Sequence, residues 1–445
     1  MKLLAILACK LLRFVGKLLG KGSSLPGQIA LKLDPDILKK LQLPDKVIAV
    51  TGSNGKTSTV EMIAHVLREN GVKVAYNKEG SNQIEGVATL LLSDCTLSGR
   101  CRAGVVLLES DERFARHTFR HFIPTHYVIT NLYRDQLTRN GHPEWIFDIL
   151  QDSIHPGTRL ILNADDPLVS CFALGRDNPV TWFGVEKLPF DGDKPAGRYH
   201  DGAYCPHCKG PMEYEYYHYN HIGAYRCPSC GLHRNEPRDA VTEASLAEKY
   251  LILNGKYRVD MSFAGIYHVY NTLAAFSACR ELGLPEEQIA AALSGYALQN
   301  GRIVSFSIGD RKGTLLASKH ENSVSYDQSI RVAVGSGQDV TVLVIVDAIS
   351  RKYFTSETSW LWDIDFERLG AENVKRVVLA GRYCYDLAAR LDYCSMEPGR
   401  VEIIEDIGQA AEWLKEHAVG HIYAVTCFSD KDKLLSRVQT EGGRA

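Results

Sequence analysis

Short apolar runs alternate with longer stretches of helical periodicity along most of the chain. Lys46–Val50 has the character of a buried strand. Thr57–Asn70 places Val60, Ile63, Val66 and Leu67 on one face and meets Gly71, which predicts a helix with a glycine stop. Further β-rich runs lie at Val72–Tyr76, Val105–Glu109, Tyr127–Asn131, Arg159–Asn163 and Val180–Phe183, several separated by helix-like segments. Such alternation predicts an α/β fold, a mostly parallel sheet with helices on both faces. Tyr204–Leu232, rich in Cys, Tyr, Gly and His, interrupts the order as an insertion; a β-rich run resumes at Lys249–Leu253, and helical runs follow at Tyr270–Leu282 and Pro285–Leu298.

Asn300-Gly301-Arg302 reads as a hinge. Beyond it, Leu315–Ser318, Val342–Asp347, Arg376–Ala380, Val401–Ile404 and Ile422–Cys427 again alternate with helical runs, predicting a second, Rossmann-like α/β domain. The expected boundaries are therefore 1–300, with the insertion at about 203–233, and 301–445. A chain of 445 residues exceeds what one core usually holds, in keeping with that division.

Composition adds constraints. Lys and Arg (51) nearly balance Asp and Glu (53), and no basic stripe stands out, so nucleic acid is not an expected partner. Of twelve cysteines, four form two CxxC pairs and eight are scattered singly, a pattern of the reducing cytoplasm with one metal site rather than a disulfide framework. Met1–Leu19 is leucine-rich, and Ile6-Leu7-Ala8-Cys9 loosely mimics a lipoprotein cleavage box. Only six residues separate Lys2 from Cys9, however, and Lys10, Arg13 and Lys17 follow at once. That is too short an apolar core for a signal peptide or a spanning helix. A basic amphipathic helix is expected, either packed on its own domain or resting on an anionic membrane surface.

Thr51-Gly52-Ser53-Asn54-Gly55-Lys56-Thr57-Ser58 lies between a predicted strand and a predicted helix. Glycines there let backbone N–H groups turn toward phosphate oxygens. The helix N-terminus adds its dipole, Lys56 reaches the β/γ-phosphates, and the Thr57 hydroxyl suits Mg²⁺. Val50 occupies the first glycine position of the usual pattern, so this is a variant phosphate loop. The pairs Cys205-Pro-His-Cys208 and Cys227-Pro-Ser-Cys230 stand 18 residues apart, within the spacing of a four-cysteine zinc ribbon. Four thiolates would close the coordination sphere and make the site structural; a redox dithiol is the other chemistry open to such pairs.

The variant loop resembles that of the Mur ligases and folylpolyglutamate synthases. Other pieces fall in Mur ligase order: Asn77–Gly86, Leu108-Glu109-Ser110-Asp111-Glu112, Thr130-Asn131 with Arg134-Asp135-Gln136-Leu137, Asn163-Ala164-Asp165-Asp166-Pro167, and Tyr270-Asn271. Within that superfamily the resemblance is nearest to MurT, ligase subunits that amidate the peptidoglycan stem glutamate. It is strong up to Arg302 and patchy beyond. It implies a Mur ligase central ATP-binding domain, ATP and Mg²⁺ as cofactors, and Gly52, Asn54, Gly55, Lys56, Thr57, Ser58, Asn271 and Arg302 as nucleotide contacts. Thr57 and Glu109 are implied as the magnesium site. Asp166 is a candidate for orienting nucleotide or metal, or is an ordinary helix-start aspartate. Two departures from the wider superfamily fit MurT. About 45 residues precede the phosphate strand, too few for a UDP-binding domain, and no lysine lies in Trp145–Gly157 to be carbamylated.

Ligases of this kind activate a carboxylate as an acyl phosphate that an amine then attacks. Arg302 and Lys319 are the cations expected at the transferred group, although Lys319 also fits a solvated surface. His320-Glu321-Asn322-Ser323 stands where MurT usually has Asn-Pro-Ala-Gly. Glu357, in Glu357-Thr358-Ser359-Trp360, occupies the place of an acceptor-domain aspartate; it fits a catalytic carboxylate or an exposed glutamate in a rebuilt loop, with Asp347 in reserve. The leading expectation is amidation of lipid II in the cytoplasm, at the inner membrane face, with ammonia from a GatD-type glutaminase. Joining of an amino acid to another carboxylate, or a nucleotide-binding scaffold, are the alternatives.

Overall fold

The computed structural model describes the chain except residues 19–23, 78–81, 137–139, 196, 298–300, 349–356, 395, 398 and 441–445. The expected hinge residue Asn300, Leu137, positions 78–81 of Asn77–Gly86, the end of the helix drawn to Leu298 and the basic, aromatic stretch after Ala348 lie outside the described residues. The chain divides into two compact units. One comprises Met1–Leu132, Pro143–Pro195 and Asp201–Ala297; the other comprises Tyr133–His142, Ala196–His200 and Leu298–Ala445.

The first unit is built on a nine-stranded sheet. Its strands are β1 (Lys46–Thr51), β2 (Val74–Tyr76), β3 (Val105–Glu109), β4 (His126–Ile129), β5 (Arg159–Asn163) and β6 (Val180–Val185), continued by β9 (Asp239–Ser245), β10 (Tyr250–Leu253) and β11 (Tyr257–Asp260). A separate hairpin, β7 (Glu213–Tyr219) and β8 (Ile222–Arg226), belongs to the insertion. The order β11-β10-β9-β6-β5-β4-β1-β3-β2 is parallel from β9 to β2; only β10 and β11 run antiparallel to their neighbours. β1 is apolar on both faces, with Val47, Ile48, Ala49 and Val50 all buried, as a central parallel strand requires. From β1 the chain builds to one side through β2 and β3, then crosses to β4 on the other. Ligands bind at such a switch point, beyond the carboxyl ends of the strands.

The helices α1 (Lys2–Leu18), α2 (Leu25–Leu33), α3 (Lys56–Glu69), α4 (Ile84–Asp94) and α5 (Ile266–Glu281) cover this sheet. α1 packs on α2 and α4 and buries Ala5, Ile6 and Cys9. Packing, one of the two expectations for this segment, thus accounts for one face of the helix. β9 begins ten residues before the run at Lys249 from which the sheet was expected to resume. Its burial alternates with exposed polar positions, so no apolar run announced it.

The second unit has a seven-stranded sheet of β12 (Ile303–Ile308), β13 (Arg311–Ser318), β14 (Val340–Ile345), β15 (Val374–Ala380), β16 (Val401–Ile404), β17 (His421–Cys427) and β18 (Gln439–Thr440), in the order β16-β15-β14-β17-β13-β12-β18. The first five are parallel in the Rossmann manner; β12 and β18 are antiparallel. β12 turns into β13 through Gly309 at φ +56°, a left-handed position that glycine adopts without strain. Helix α6 (Ile407–His417) starts beyond the end of β16, with Asp406 Oδ1 accepting the Gln409 N–H.

Candidate active site and cysteine ribbon

The phosphate loop leaves the carboxyl end of β1 and enters α3 at Lys56. Gly52 (φ +138°) and Gly55 (φ +85°) occupy conformations that side-chain-bearing residues rarely adopt. Space forbids them as well: a Cβ at Gly52 would meet Thr130 Oγ1 at 2.1 Å, and one at Gly55 would meet Asn271 Oδ1 at 2.1 Å. Asn271, on α5, thus lies against the loop. Thr130 and Asn131, following β4, fix its shape. Asn54 N donates to Asn131 Oδ1 (2.9 Å), Ser53 N to Asn131 O (2.9 Å), and Thr130 Oγ1 to Asn54 O (3.0 Å). Ser58 is buried in the first turn of α3.

The ammonium group of Lys56, 4% exposed, donates to Gly52 O and to a carboxylate oxygen of Glu112. Thr57 Oγ1 donates to Glu109 Oε2 at 2.8 Å. Neighbouring oxygens around Mg²⁺ at metal–oxygen distances of ~2.1 Å stand about 3 Å apart, so this hydroxyl and carboxylate fit two adjacent positions of such an ion. Asp166, by contrast, is a helix cap. Its Oδ1 accepts Leu168 N (2.9 Å) and Val169 N (3.1 Å) at the start of the helix Pro167–Ser170, and its Oδ2 accepts Leu132 N (2.8 Å). The ordinary reading of that aspartate accounts for its geometry.

The four ribbon cysteines sit on two matching knuckles. Cys205 N donates to Gly210 O (2.7 Å) and Lys209 N to Cys205 O (2.9 Å); Cys227 N donates to Leu232 O (2.6 Å) and Gly231 N to Cys227 O (2.9 Å). Lys209 (φ +63°) and Gly231 (φ +78°) take the same left-handed place in each turn. The thiols converge: Cys205 and Cys230 Sγ are 3.7 Å apart, Cys208 and Cys227 Sγ 3.5 Å, and all four lie within 4.8 Å of one another. A tetrahedron with metal–sulfur bonds of ~2.3 Å has edges of about 3.8 Å, so the donor set fits zinc.

In the second unit, Lys319 Nζ stands 3.4 Å from Asp135 Oδ2, and Asn322 Nδ2 donates to Asp135 Oδ1 at 2.7 Å. Gln136 N donates to Glu321 O (3.0 Å), both residues having positive φ (+50° and +52°). Arg302 immediately precedes β12, its carbonyl accepting Ala317 N at 2.7 Å. Glu357 is exposed; its Oε1 accepts Ser359 N at 2.6 Å, and the Ser359 hydroxyl and N–H hold its carboxyl below the usual range. Asp347 lies at a cleft of about 890 Å³ beyond the strand ends, with Arg382, Glu405, Asp406, Lys433 and Arg437. Burial works against its charge, but Lys433 and the Arg382 N–H (2.8 Å) keep the carboxyl below its ordinary value.

Comparison with known proteins bears on both units. Residues 50–192 match the Mur ligase middle domain, and residues 320–430 match the MurT ligase C-terminal family. The lipid II isoglutaminyl synthase (glutamine-hydrolyzing) subunit MurT of Staphylococcus aureus (strain COL) is 32% identical over 397 residues, 88% of this chain and 87% of that protein. The subunit of the same name from Streptococcus pneumoniae (strain ATCC BAA-255 / R6) is 30% identical over 96% of this chain and 94% of its own. This chain belongs to the MurT family. Among solved structures, a pseudomurein peptide ligase type C from Methanothermus fervidus has a TM-score of 0.70 at 19% identity, covering 92% of this chain and 82% of its own. MurF from Acinetobacter baumannii has a TM-score of 0.65 at 16% identity, covering 92% and 80%. These two share the fold.

The structure also shows two buried carboxylates around the phosphate loop that sequence reasoning did not select. Glu112 was visible only as part of an acidic cluster, and its pairing with Lys56 joins positions 56 residues apart. Asp165 is fully buried and collects Arg234 Nε (2.6 Å), Tyr270 OH (2.6 Å) and Val185 N (2.7 Å). Its signal in the sequence is the doubled aspartate of Asn163–Asp166.

Proposed function

We propose that this MurT-family protein is an ATP-dependent carboxylate–amine ligase that amidates the stem-peptide glutamate of lipid II to isoglutamine. The observation that carries the reading is the Thr57–Glu109 pair beside a phosphate loop whose glycines admit no side chain, in a chain related along most of its length to proteins named for that reaction. ATP would lie along Gly52–Ser58 and against Asn271. Bound Mg²⁺, held by Thr57 and Glu109, would neutralise charge on the phosphates. Lys56 would leave Glu112 for the β/γ-phosphates; the γ-phosphoryl group would pass from ATP to the glutamate carboxylate with release of ADP, and ammonia would then displace phosphate from the acyl phosphate. Arg302 and Lys319 are proposed for the transferred phosphoryl group, and Glu357 for the second half of the reaction, to orient the nitrogen and accept its proton. A GatD-type glutaminase is the proposed source of ammonia, Zn²⁺ the proposed ribbon metal, and the cytoplasmic membrane face the proposed place of work.

The test supplies purified protein with ATP, Mg²⁺, lipid II and ammonium salt, and follows ADP release and the stem peptide by mass spectrometry. Isoglutamine formed only with ATP is the expected result. No turnover with ammonium, but an amino acid joined to lipid II or another carboxylate, would replace amidation by the extending type of ligase.

A further inference from the structure

We infer that α1 is a docking surface for an anionic lipid bilayer, lying flat along it. Leu3, Leu4, Leu7, Leu11, Phe14, Val15 and Leu18 are all exposed, Leu11 and Phe14 at 64% each. At 100° per residue these seven side chains fall within one 120° arc, and the opposite arc holds the buried Ala5, Ile6 and Cys9. The outward face is thus apolar along more than four turns, which a helix merely packed on its domain would not need. Contiguous exposed apolar surface of this extent marks an interaction site. Leu25, at the start of the adjacent α2, is exposed as well.

Charge selects the occupant. The first 33 residues contain Lys2, Lys10, Arg13, Lys17, Lys21 and Lys32 and no acidic residue, in a chain whose net charge is −2. Lys10 is fixed beside the apolar arc, donating from Nζ to Ser93 O at 2.8 Å. An apolar face bordered by Lys10, in a segment with six cations and no acid, suits acyl chains beneath anionic headgroups. Among the described residues no helix is long and apolar enough to cross a membrane, so the contact is interfacial. The seven side chains take no part in the phosphate loop or the ribbon, and the inference stands whether or not lipid II is the acceptor.

The experiment is flotation of the full chain with phosphatidylglycerol vesicles and with phosphatidylcholine vesicles, at low and high salt. Wild type should float with phosphatidylglycerol, less at high salt, and far less with phosphatidylcholine. Leu7→Glu, Leu11→Glu and Phe14→Glu combined should lower binding by about tenfold or more, because charged groups would enter the apolar layer. Circular dichroism and ATP binding, unchanged in this triple variant, establish that it is folded. Wild type that stays unbound, or a folded triple variant that floats equally well, would overturn the inference. So would a wild-type dimer that the three substitutions split, since the face would then belong to a second copy.

Discussion

Arg234, four residues beyond the last ribbon cysteine, donates from Nε to Asp165 Oδ1 at 2.6 Å. Asp165 Oδ2 accepts the Tyr270 hydroxyl at 2.6 Å, and the residue after Tyr270 is the asparagine lying against Gly55. Ribbon, sheet and phosphate loop are thereby joined through one buried carboxylate. Arg234 is 13% exposed and Asp165 fully buried, so an amide in place of the carboxylate leaves a largely buried cation with only the exposed Glu186 carboxylate, at 3.2 Å, to balance it. Asp165→Asn should destabilise the protein by about 3 kcal/mol or more. It should also weaken ATP binding, measurable by calorimetry on the fraction that remains folded.

Removing the ribbon metal should act through the same joint. About one zinc per chain is expected by elemental analysis after purification under reducing conditions. Chelation, or Cys205→Ser, should lower Tm and weaken ATP binding several-fold without abolishing it, because the loop itself is fixed by Thr130 and Asn131. Metal-free protein under those conditions would remove the zinc assignment.

Lys56→Ala should abolish ATP-dependent turnover. It should also lower stability, by about 3 kcal/mol, because Glu112, 6% exposed, then loses the ammonium group beside its buried charge. The double variant Lys56→Ala with Glu112→Gln should recover most of that stability and none of the activity. Urea denaturation and ADP release separate the two effects.

Asp327 in the second unit gives a pH signature. Burial pushes its carboxyl up from an ordinary 3.8 to about 7, although the Asp365 N–H at 2.7 Å favours the charged form. The native state therefore keeps a proton that the unfolded chain releases between those values. Stability from this group falls as pH rises through that window, by about 1.4 kcal/mol per pH unit, and the full cost is present above pH 7. Asp327→Asn should raise Tm at pH 8 and leave it nearly unchanged at pH 4; an equal shift at both would dismiss the titration.

Glu357→Gln should keep acyl-phosphate formation, read as substrate-dependent ADP release, and lose amide product. The exposed position of Glu357 allows the substitution without loss of fold. Unchanged amide yield would pass the role to Asp347, with Asp347→Asn the variant to measure.

The central strands and both cysteine knuckles were legible because each is a local pattern. An apolar run before a glycine-rich turn specifies β1 and its loop, and CxxC spacing alone brings thiols together. β9 and β12 escaped because their half-exposed faces break the apolar run, and β12 depends on a partner strand through the turn at Gly309. The pairings of Lys56 with Glu112 and of Lys319 with Asp135 escaped for another reason. They unite residues 56 and 184 positions apart, which no spacing rule connects.

The bonds at Asp165 also set an order of assembly. Its partners Val185, Arg234 and Tyr270 lie 20, 69 and 105 residues further along the chain. As the polypeptide leaves the ribosome, β5 is complete long before this acid can be neutralised. A nascent chain halted between Val185 and Arg234 has β1 to β6 but not the counter-ion, and must keep that region hydrated or exchange it with chaperones. Closure of the first unit is therefore a late event, timed by the emergence of α5 rather than by the phosphate loop that precedes it by more than two hundred residues.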